Sequence, residues 1–570
     1  MPDEPRAAAS PAMAAMAALL DELVVAGLQH IVLCPGSRSQ ALALLAADLE
    51  RNGRVRLHVR VDERSAGFLA LGIGRESGRP AAVIVTSGTA VGNLLPATME
   101  AHHAGVPLLL LTADRPDELR GVGANQATIQ PGIFSAFVRF EADAAVPADA
   151  GVADPYRELA RTAWQAAVGP PAGAVHLNLP VREPLAGAFP EWWSALARTG
   201  AAASDAPVML KAADSSASGT PGTAADPDDA VASGTAAPSH SSPASAVVTD
   251  VSGVDPLGWN RPAVTVLVAG ADAGPEAAAL AEDRGWPLIA EIVSGARLGL
   301  NVVPAYRAAL RTPELADTIQ RVAVLGHPTL SREVARLLSR TDIDIVAVPA
   351  TGERLNLNRR TRATTISALH DAARGDDDWR ARWLRDPDAP MAGAGITRAD
   401  LVRAVWQASE PTDRVLFGSS RLVRVADEVL EPRAVRVHAN RGLAGIDGTI
   451  ATAIGIDAAA RDGVTRVILG DLTLLHDAGS LLVPADEPDP RVQLVVGNDG
   501  GGTIFDTLEV AGVATPEAFR RVQYTPQDVD LAGLAHAYGW EHVRVTRPED
   551  LAAALGPAGI RRIIEVPLDR

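Results

Sequence analysis

Two polar groups in the last third of the chain have the types and the spacing of a metal site. Asp471 follows the apolar run VILG, and Asn498 follows the run QLVVG and precedes several glycines. They are 27 positions apart. That gap holds a helix and its return strand, so parallel strands would bring both side chains to one sheet edge. Together with the carbonyl of Gly500 they form a hard oxygen set suited to Mg²⁺ with a bound diphosphate. The alternative is two ordinary turns rich in Asp, Asn and Gly.

This pattern resembles the signature of thiamine-diphosphate-dependent enzymes, in which Gly-Asp-Gly is followed at a similar distance by Asn or Asn-Asn. The chain departs from the signature at Leu472, which replaces the second Gly, and at Asp499, which replaces the second Asn. The resemblance implies thiamine diphosphate as the cofactor, with Mg²⁺ or Mn²⁺ held by Asp471, Asn498 and Gly500.

A second segment, RVDERSAGFLALG at residues 60–72, supplies a candidate catalytic carboxylate. Thiamine chemistry needs a carboxylate beside the aminopyrimidine ring, because it stabilises the tautomer that removes the thiazolium proton. Glu63 stands where a strand is expected to turn into a helix with a small apolar face, so we expect it to be buried and to take this role. The alternative is an exposed charged turn, since Asp62 and Arg64 flank it.

Further motifs narrow the resemblance to one family within that superfamily. They are CPGSRS (34–39), TSGTAVGNLLPA (86–97), LTADRPDELRGVGANQ (111–126), HLNLPVREPL (176–185), NRGLAGIDGT (440–449) and NDGGGTIF (498–505). They are similar to those of the 2-succinyl-5-enolpyruvyl-6-hydroxy-3-cyclohexene-1-carboxylate synthases of menaquinone biosynthesis. The resemblance implies a transferase that decarboxylates 2-oxoglutarate and adds the succinyl-semialdehyde carbanion to isochorismate. It covers both outer regions closely and the middle region loosely.

The same resemblance implies the order of the domains. We expect a pyrimidine-binding domain at residues 1–195, a flexible low-complexity linker at 196–258, a central spacer domain at 259–390 and a diphosphate-binding domain at 391–570. Between Trp193 and Trp259 the chain has no aromatic residue, and such a segment cannot offset its ordering entropy. In this family the two halves of one site come from different subunits, which implies a homodimer or a homotetramer.

Both implied substrates are dicarboxylates, so their site needs several cations with planar, forked donors. The chain contains one lysine, Lys211, which leaves arginine to do this work. Placement after predicted strands, or in the family motifs, gives the substrate-binding candidates Ser37, Arg38, Arg115, Asn125, Gln126, Arg332, Arg424 and Arg441. Phe505 and Leu508, with Ile504, are candidates for an apolar wall against the isochorismate ring, although helical core packing explains their spacing equally well.

The motifs also indicate the residues that contact the cofactor. Ser420 lies in a turn of small residues suited to diphosphate oxygens, and Ile446 resembles the bulky apolar residue that wedges the cofactor into a bent shape. The full set of cofactor candidates is Pro35, Gly36, Thr86, Ser87, Gly88, Asn93, Ser420, Ile446, Asp471, Leu472, Asn498 and Ile504.

Two other functions remain open at this level. One keeps the cofactor but changes the substrate, as in an acetolactate-synthase-like enzyme or another 2-oxo-acid decarboxylase. That function needs fewer cations than the arginine-bearing motifs supply. The other is a non-catalytic sensor of a small acid, in which loss of Glu63 or Asp471 would be expected.

Composition excludes some classes of partner. The 570 residues carry a net charge of −17, so no overall basic field is available to bind nucleic acid. The single cysteine, Cys34, excludes an intramolecular disulfide and suits a reducing cytoplasm. The alanine-rich stretch at residues 13–25 contains Asp21 and Glu22 and has no basic leader, so we expect neither a signal nor a membrane anchor.

Short apolar runs alternating with helical stretches indicate the elements that position these residues. Such alternation predicts an α/β fold of three doubly wound, mainly parallel-sheet domains. The predicted strands are residues 31–34, 57–61, 81–86, 108–112 and 174–179, then 264–269, 322–325 and 345–348, and finally 415–418, 466–470, 493–497 and 563–566. Thr397 is the predicted N-cap of a helix that contains residues 401–406.

Overall fold

A computed structural model describes residues 9–149, 153–196, 257–349, 354–384, 395–556 and 561–570. These residues form three α/β units, and every strand pairing within the three sheets is parallel. The predicted fold class is therefore confirmed. The predicted linker lies almost wholly outside the described residues, as does the predicted boundary at residues 390–391.

The first unit has a six-stranded sheet in the order β2-β1-β3-β4-β6-β5. Its strands are β1 (His30–Leu33), β2 (Arg56–Val59), β3 (Ala81–Val85), β4 (Leu108–Asp114), β5 (Phe140–Asp143) and β6 (Ala174–Pro180). Its helices are α1 (Pro11–Ala26), α2 (Gln40–Arg51), α3 (Glu63–Ser77), α4 (Thr89–Gly92), α5 (Leu95–Ala104), α6 (Asp154–Val168) and α7 (Glu191–Leu196).

The second unit has a five-stranded sheet in the order β11-β10-β9-β7-β8. Its strands are β7 (Thr265–Ala269), β8 (Leu288–Ala290), β9 (Arg321–Leu325), β10 (Asp344–Ala347) and β11 (Arg362–Ala363). Its helices are α8 (Pro275–Arg284), α9 (Tyr306–Arg311), α10 (Pro313–Ala316), α11 (Arg332–Leu338), α12 (Ile366–His370) and α13 (Asp377–Trp383).

The third unit repeats the strand order of the first, as β13-β12-β14-β15-β17-β16. Its strands are β12 (Arg414–Phe417), β13 (Arg436–His438), β14 (Thr465–Gly470), β15 (Val492–Asn498), β16 (Glu541–Arg544) and β17 (Arg562–Pro567). Its helices are α14 (Arg398–Ala408), α15 (Arg421–Val429), α16 (Thr449–Ala459), α17 (Asp471–His476), α18 (Pro516–Phe519), α19 (Leu531–Ala537) and α20 (Pro548–Ala554). Thr397 caps α14 with a reciprocal hydrogen-bonded box, as predicted.

Each sheet is buried on both faces, which explains the continuous apolar runs of its central strands. In β1, Val32 faces one apolar cluster, and Ile31 and Leu33 face another. The same division occurs in β7, where residues 266 and 268 face one cluster and residues 267 and 269 face the other. Helices therefore cover both faces, which is the doubly wound arrangement.

Helices α3 and α16 join the first and third units through close glycine contacts. A Cβ on Gly72 would lie 2.1 Å from the carbonyl oxygen of Thr452, and a Cβ on Gly455 would lie 2.0 Å from that of Leu69. Only glycine permits backbones to approach this closely. One continuous apolar core therefore spans the two units, and it fixes α3, the helix that Glu63 begins.

The described helices include none that combines the length and the apolar character needed to cross a membrane.

Candidate active site

The predicted metal residues meet at one sheet edge. Strands β14 and β15 are parallel neighbours with Gly470 opposite Gly497, so Asp471 and Asn498 leave the sheet side by side. Asp471 is 5% exposed, and its carboxylate accepts backbone N–H groups of Leu472 and Gly501. Burial, with a smaller effect of nearby Asp499, raises the pKa of Asp471 to about 6.

No ion pair within the described ranges reaches the carboxylate of Asp471. A buried carboxylate held by N–H groups and without a cation has the chemistry that a divalent metal would satisfy. The residues present therefore fit the implied metal. No group of three His, Cys, Asp or Glu side chains with metal-binding geometry occurs in the described part of the chain. This agrees with a site that also uses amide, carbonyl and diphosphate oxygens.

The amide of Asn498 is held by a residue that the sequence did not single out. Its Nδ2 donates to Glu565 Oε1 at 2.9 Å, and His542 Nε2 lies 3.1 Å from the other oxygen of that carboxylate. Glu565 lies in β17, 7% exposed. Because Nδ2 is engaged with Glu565, the amide oxygen of Asn498 is left for another partner.

Asp499 and Gly500, which follow Asn498 in the glycine-rich turn, accept hydrogen bonds from other residues. Asp499 pairs with Arg398 at 2.7 Å and accepts the Thr503 hydroxyl at 2.5 Å. The carbonyl of Gly500 accepts a hydrogen bond from Arg570 at 3.1 Å. A carbonyl oxygen has a second lone pair, so Gly500 retains one position for a metal.

The other cofactor candidates of the third unit border this edge. The hydroxyl of Ser420 caps α15 by accepting the N–H of Leu422 at 3.2 Å. Ser420 also lies close to the end of β14, since a Cβ added to Gly470 would be 4.0 Å from the Cβ of Ser420. The Ser420 hydroxyl keeps its proton for donation. The three apolar candidates, Ile446, Leu472 and Ile504, are all half-buried. Ile446 precedes α16, Leu472 is the second residue of α17, and Ile504 lies in a 3₁₀ helix at Thr503–Thr507.

Glu63 is the first residue of α3, at the predicted strand-to-helix turn. Its side chain is half-buried rather than buried, and Asn93 Nδ2 lies 3.3 Å from Glu63 Oε2. No hydrogen bond or ion pair among the residues described joins Glu63 to Asp471 or Asn498. The expected burial of Glu63 is therefore not complete within one chain.

The first unit brings its remaining candidates together where β1 and β3 end. Gly36 packs so closely on Thr86 that an added Cβ would lie 2.3 Å from the Thr86 Cβ. Thr86 Oγ1 is buried without a hydrogen-bond partner, an orphaned polar atom of the kind that a ligand satisfies. Gly88 has φ +85° and donates its N–H to Gln130 at 3.0 Å. Pro35 precedes this contact and is exposed.

One group of substrate candidates lies at the same edge of the first sheet. Arg115 is 7% exposed and donates to Ser87 Oγ. Burial lowers the pKa of Arg115, and the nearby charge of Arg38 lowers it further. Arg38 donates to the carbonyl of Val181 at 3.2 Å and forms no ion pair with any described residue. Two neighbouring guanidinium groups that form no ion pair within the described part of the chain have the chemistry that an anion would satisfy.

The polar candidates beside this pair are more exposed. Ser37, Asn125 and Gln126 face solvent. Gln126 has φ 59° and already donates its Nε2 to the carbonyl of Ser87 at 2.9 Å. It therefore holds the Ser87 turn, and only its second amide proton remains for a substrate.

A second group of arginines lies where the central and third units meet. Arg332 begins α11, Arg424 lies on α15, and Arg441 follows β13. Partial burial lowers the pKa of Arg424, whose side chain still reaches solvent, and the charges of Arg307 and Arg332 lower it further. Burial also lowers the pKa of Arg441, to which the charge of Arg424 contributes. Neither Arg332 nor Arg424 has an ion pair within the described residues. Arg441 has Glu291, Glu100 and Asp427 near it. The like charges of Arg332 and Arg424, which have no ion pair among the described residues, favour a second site for carboxylates.

Three residues of the other units, Thr329, Glu291 and Glu100, position Arg441 directly or through its neighbours, and none of them was predicted from the sequence. Arg441 donates through Nε and NH2 to Thr329, and Glu291 in turn accepts the N–H of Thr329. Glu100 accepts the backbone N–H groups of Gly442 and Leu443, each at 2.8 Å. The available signal was an isolated acidic residue inside an apolar segment, as in LIAEIV for Glu291 and RIIEVP for Glu565.

The proposed apolar wall follows the glycine-rich turn. Phe505 packs on Gly502, where a Cβ would lie 2.9 Å from its ring, and Leu508 ends the 3₁₀ helix; both are half-buried. Arg421 pairs with Asp506 at 3.0 Å and so ties this segment to α15.

Comparison with known proteins agrees with this division of the site. Residues 13–135 match a family model described as the N-terminal TPP-binding domain of thiamine pyrophosphate enzymes, and residues 423–562 match the corresponding C-terminal TPP-binding domain. The first range contains Glu63, and the second contains Asp471 and Asn498. Thiamine diphosphate is thus the cofactor of this chain.

Curated relatives match nearly the whole chain. A 2-succinyl-5-enolpyruvyl-6-hydroxy-3-cyclohexene-1-carboxylate synthase of Leifsonia xyli is 44% identical over 97% of this chain and 96% of its own length. A synthase of the same name from Clavibacter michiganensis is 44% identical over 97% of this chain and 95% of its own length. Another, from Thermobifida fusca, is 37% identical over 98% of this chain and 96% of its own length. The chain therefore belongs to the 2-succinyl-5-enolpyruvyl-6-hydroxy-3-cyclohexene-1-carboxylate synthase family and is a thiamine-diphosphate-dependent enzyme that forms a carbon–carbon bond.

Proposed function

We propose that this chain decarboxylates 2-oxoglutarate and adds the remaining four-carbon unit to isochorismate, in menaquinone biosynthesis. The observation that carries the proposal is the pair of arginine groups, Arg38 with Arg115 and Arg332 with Arg424 and Arg441. Their charges are concentrated beside the cofactor residues of a chain with a net charge of −17. A monocarboxylate such as pyruvate would not need cations in such number.

Each group of residues has a separate task in this proposal. Asp471, Asn498 and Gly500 would hold Mg²⁺ or Mn²⁺ and, through it, the diphosphate. When bound there, thiamine diphosphate would supply a carbon nucleophile and an electron sink for the decarboxylation. Glu63 would hold a proton at the aminopyrimidine ring, and Asn93, 3.3 Å away, would orient its carboxylate.

The arginines would bind and orient the substrates. Forked guanidinium groups fix a carboxylate in one plane, so they place the reacting carbon as well as contribute affinity. Ile504, Phe505 and Leu508 would cover the ring of the acceptor and exclude water from the reacting carbon. The polar candidates Ser37, Asn125 and Gln126 would complete the acceptor site.

The assembly is part of the proposal. Glu63 has no hydrogen bond or ion pair to Asp471 or Asn498 within the described ranges of one chain, so a homodimer or homotetramer would pair the first unit of one chain with the third unit of another. The units would correspond to a pyrimidine-binding domain (1–195), a linker (196–258), a spacer domain (259–390) and a diphosphate-binding domain (391–570). The single buried cysteine supports a cytoplasmic location.

Incubation with 2-oxoglutarate, isochorismate, thiamine diphosphate and Mg²⁺ tests the proposal, with CO₂ and the adduct measured together. Equal amounts of both products are expected, and replacing 2-oxoglutarate by pyruvate should abolish them. CO₂ release without adduct would instead indicate a simple decarboxylase. Efficient use of pyruvate would indicate an acetolactate-synthase-like enzyme.

A further inference from the structure

Glu291 is a fully buried carboxylate at the carboxyl end of β8 that binds backbone rather than substrate. Its exposure is 0%. Thr329 donates its N–H to both carboxylate oxygens, at 3.0 and 2.9 Å, and Leu330 donates its N–H to Oε1 at 2.7 Å. Glu291 therefore fixes the turn that follows β9.

That turn holds the side chain of Arg441. Arg441 Nε donates to Thr329 Oγ1 at 2.9 Å, and Arg441 NH2 donates to the Thr329 carbonyl at 3.1 Å. A third contact, from NH1 to Ser419 Oγ, is longer, at 3.3 Å. Glu100 accepts the backbone N–H groups of Gly442 and Leu443 and, among the described residues, forms no hydrogen bond with the guanidinium of Arg441. The two shorter contacts of the guanidinium are both with Thr329, so its direction depends mainly on that residue and hence on Glu291.

The ionisation of Glu291 is set by its surroundings. Asp427 on α15 is its acidic neighbour, Arg441 is its cationic neighbour, and Tyr306 on α9 also faces it. Burial, followed by the charge of Asp427, raises the pKa of Glu291 to about 7, although the Thr329 and Leu330 N–H groups and Arg441 oppose the shift.

We propose that Glu291 is a positioning residue that presets the guanidinium of Arg441 for a substrate carboxylate, acting through the Thr329–Leu330 turn. The proposal rests on the proposed function, in which Arg441 binds a substrate. Glu291 itself is too deeply buried to reach one. The ionised carboxylate accepts the two N–H groups more strongly than the protonated acid does, so the alignment weakens as the pH falls below about 7.

A double-mutant cycle between Glu291→Gln and Arg441→Ala tests this inference in the enzyme loaded with thiamine diphosphate and Mg²⁺. KM and kcat are measured for 2-oxoglutarate and for isochorismate. Arg441→Ala identifies the substrate that Arg441 binds, and Glu291→Gln should raise KM for that same substrate by about tenfold, with little change in kcat. In the Arg441→Ala background, Glu291→Gln should have no further effect on that KM.

A pH profile supplies a readout that a merely structural role would not change. In the unmodified enzyme, KM for that substrate should rise as the pH falls from 8 to 6, and this rise should be absent in both Glu291→Gln and Arg441→Ala. Thr329→Val, which removes one acceptor of Arg441 at a half-buried position, should raise the same KM even if Glu291→Gln does not fold. Asp344→Asn is the matched control, because Asp344 begins β10, which is separated from β8 by β9 and β7 in the same sheet.

The outcomes separate this inference from the proposed function. The positioning role of Glu291 would be overturned, with the proposed function left intact, by either of two results. One is additive effects of Glu291→Gln and Arg441→Ala on KM, and the other is an unchanged KM in both Glu291→Gln and Thr329→Val. If Arg441→Ala left KM unchanged for both substrates, Arg441 would not belong to the substrate site. That result would overturn the positioning role of Glu291 and also the substrate-binding role that the proposed function gives Arg441. A similar rise in KM for Asp344→Asn would identify general damage to the central unit and would also overturn the positioning role.

Discussion

The two arginine groups are expected to serve different steps of the reaction, and two single substitutions can separate them. Arg38 follows β1 of the first unit, and Arg424 lies on α15 of the third unit. Decarboxylation of 2-oxoglutarate precedes capture by isochorismate. We therefore predict that Arg38→Ala chiefly weakens isochorismate binding, whereas Arg424→Ala also impairs the reaction of 2-oxoglutarate.

The magnitude follows from the surroundings of each guanidinium. Losing a bidentate contact to a charged group costs about 1.5–3 kcal/mol, which corresponds to roughly 10- to 150-fold in the affected step. Arg424 is exposed and lies near the like charges of Arg307 and Arg332. Its removal also relieves repulsion in the free enzyme, so the Arg424→Ala effect belongs in the lower part of that range. Arg38 has one backbone partner, Val181, and lies near the like charge of Arg115. Its removal therefore also relieves repulsion, and the effect of Arg38→Ala on isochorismate binding belongs in the same part of that range.

Single-turnover stopped-flow measurement of CO₂ release, with isochorismate withheld, isolates the first step. Arg38→Ala should leave this rate within about twofold of the unmodified enzyme, and Arg424→Ala should slow it by a factor in the lower part of the roughly 10- to 150-fold range. Steady-state titration of each substrate then measures the second step. Arg547→Ala is the matched control, because Arg547 is an exposed arginine of the third unit that pairs with Asp550 at 2.7 Å.

Equal slowing of CO₂ release by Arg38→Ala and Arg424→Ala would refute the division between the two groups. Membership of the family would not be affected by that result. A comparable loss in Arg547→Ala would show that the assay reports a general effect of removing a positive charge.

Three further predictions concern single carboxylates. Glu63→Gln should reduce turnover by at least ~10²-fold while cofactor affinity is largely retained, because Gln cannot hold the ring proton as an ionised partner; near-normal turnover would exclude Glu63 as the activating group. Asp471→Ala should abolish the enhancement of cofactor binding by Mg²⁺ in calorimetry, and a persisting enhancement would place the metal elsewhere. For Glu291 the folded-state pKa of about 7 exceeds the ordinary 4.5, so its contribution to stability is present below pH 4.5 and is lost as the pH rises through 7. Chemical denaturation at pH 5.5 and pH 8 should therefore show a decrease in unfolding free energy, on the order of 2 kcal/mol at most, that is absent in Glu291→Gln. Equal pH dependence in the two proteins would contradict this.

The central strands were predictable because their sequence directly reflects burial on both faces. Runs such as AAVIV in β3 and LLLLTAD in β4 are fully buried, and all twelve predicted strands occur within two residues of their predicted ends. The five strands that were missed are β5, β8, β11, β13 and β16, each at the edge of its sheet. Edge strands can be short and partly polar, as in EHVR of β16, so their pattern does not separate them from loops.

The adjacency of Asp471 and Asn498 was likewise determined by local information. Each follows an apolar strand, and the intervening length accommodates one helix, so parallel pairing must place them side by side. The sequence alone could not determine which distant groups orient them. Glu565 reaches Asn498 from a strand 67 residues away in the chain, and only the sheet order β15-β17 brings the two together.

The electrostatic character of the site was decided by the tertiary structure in the same way. Sequence motifs indicated individual arginines, but an arginine in a sequence can equally be paired on the surface, as Arg547 is. Packing of the central unit against the third left Arg332 and Arg424 without acidic partners and placed Glu291 behind Arg441. Charge pairing and burial depend on distances across units, and those distances are properties of the folded chain rather than of any local segment.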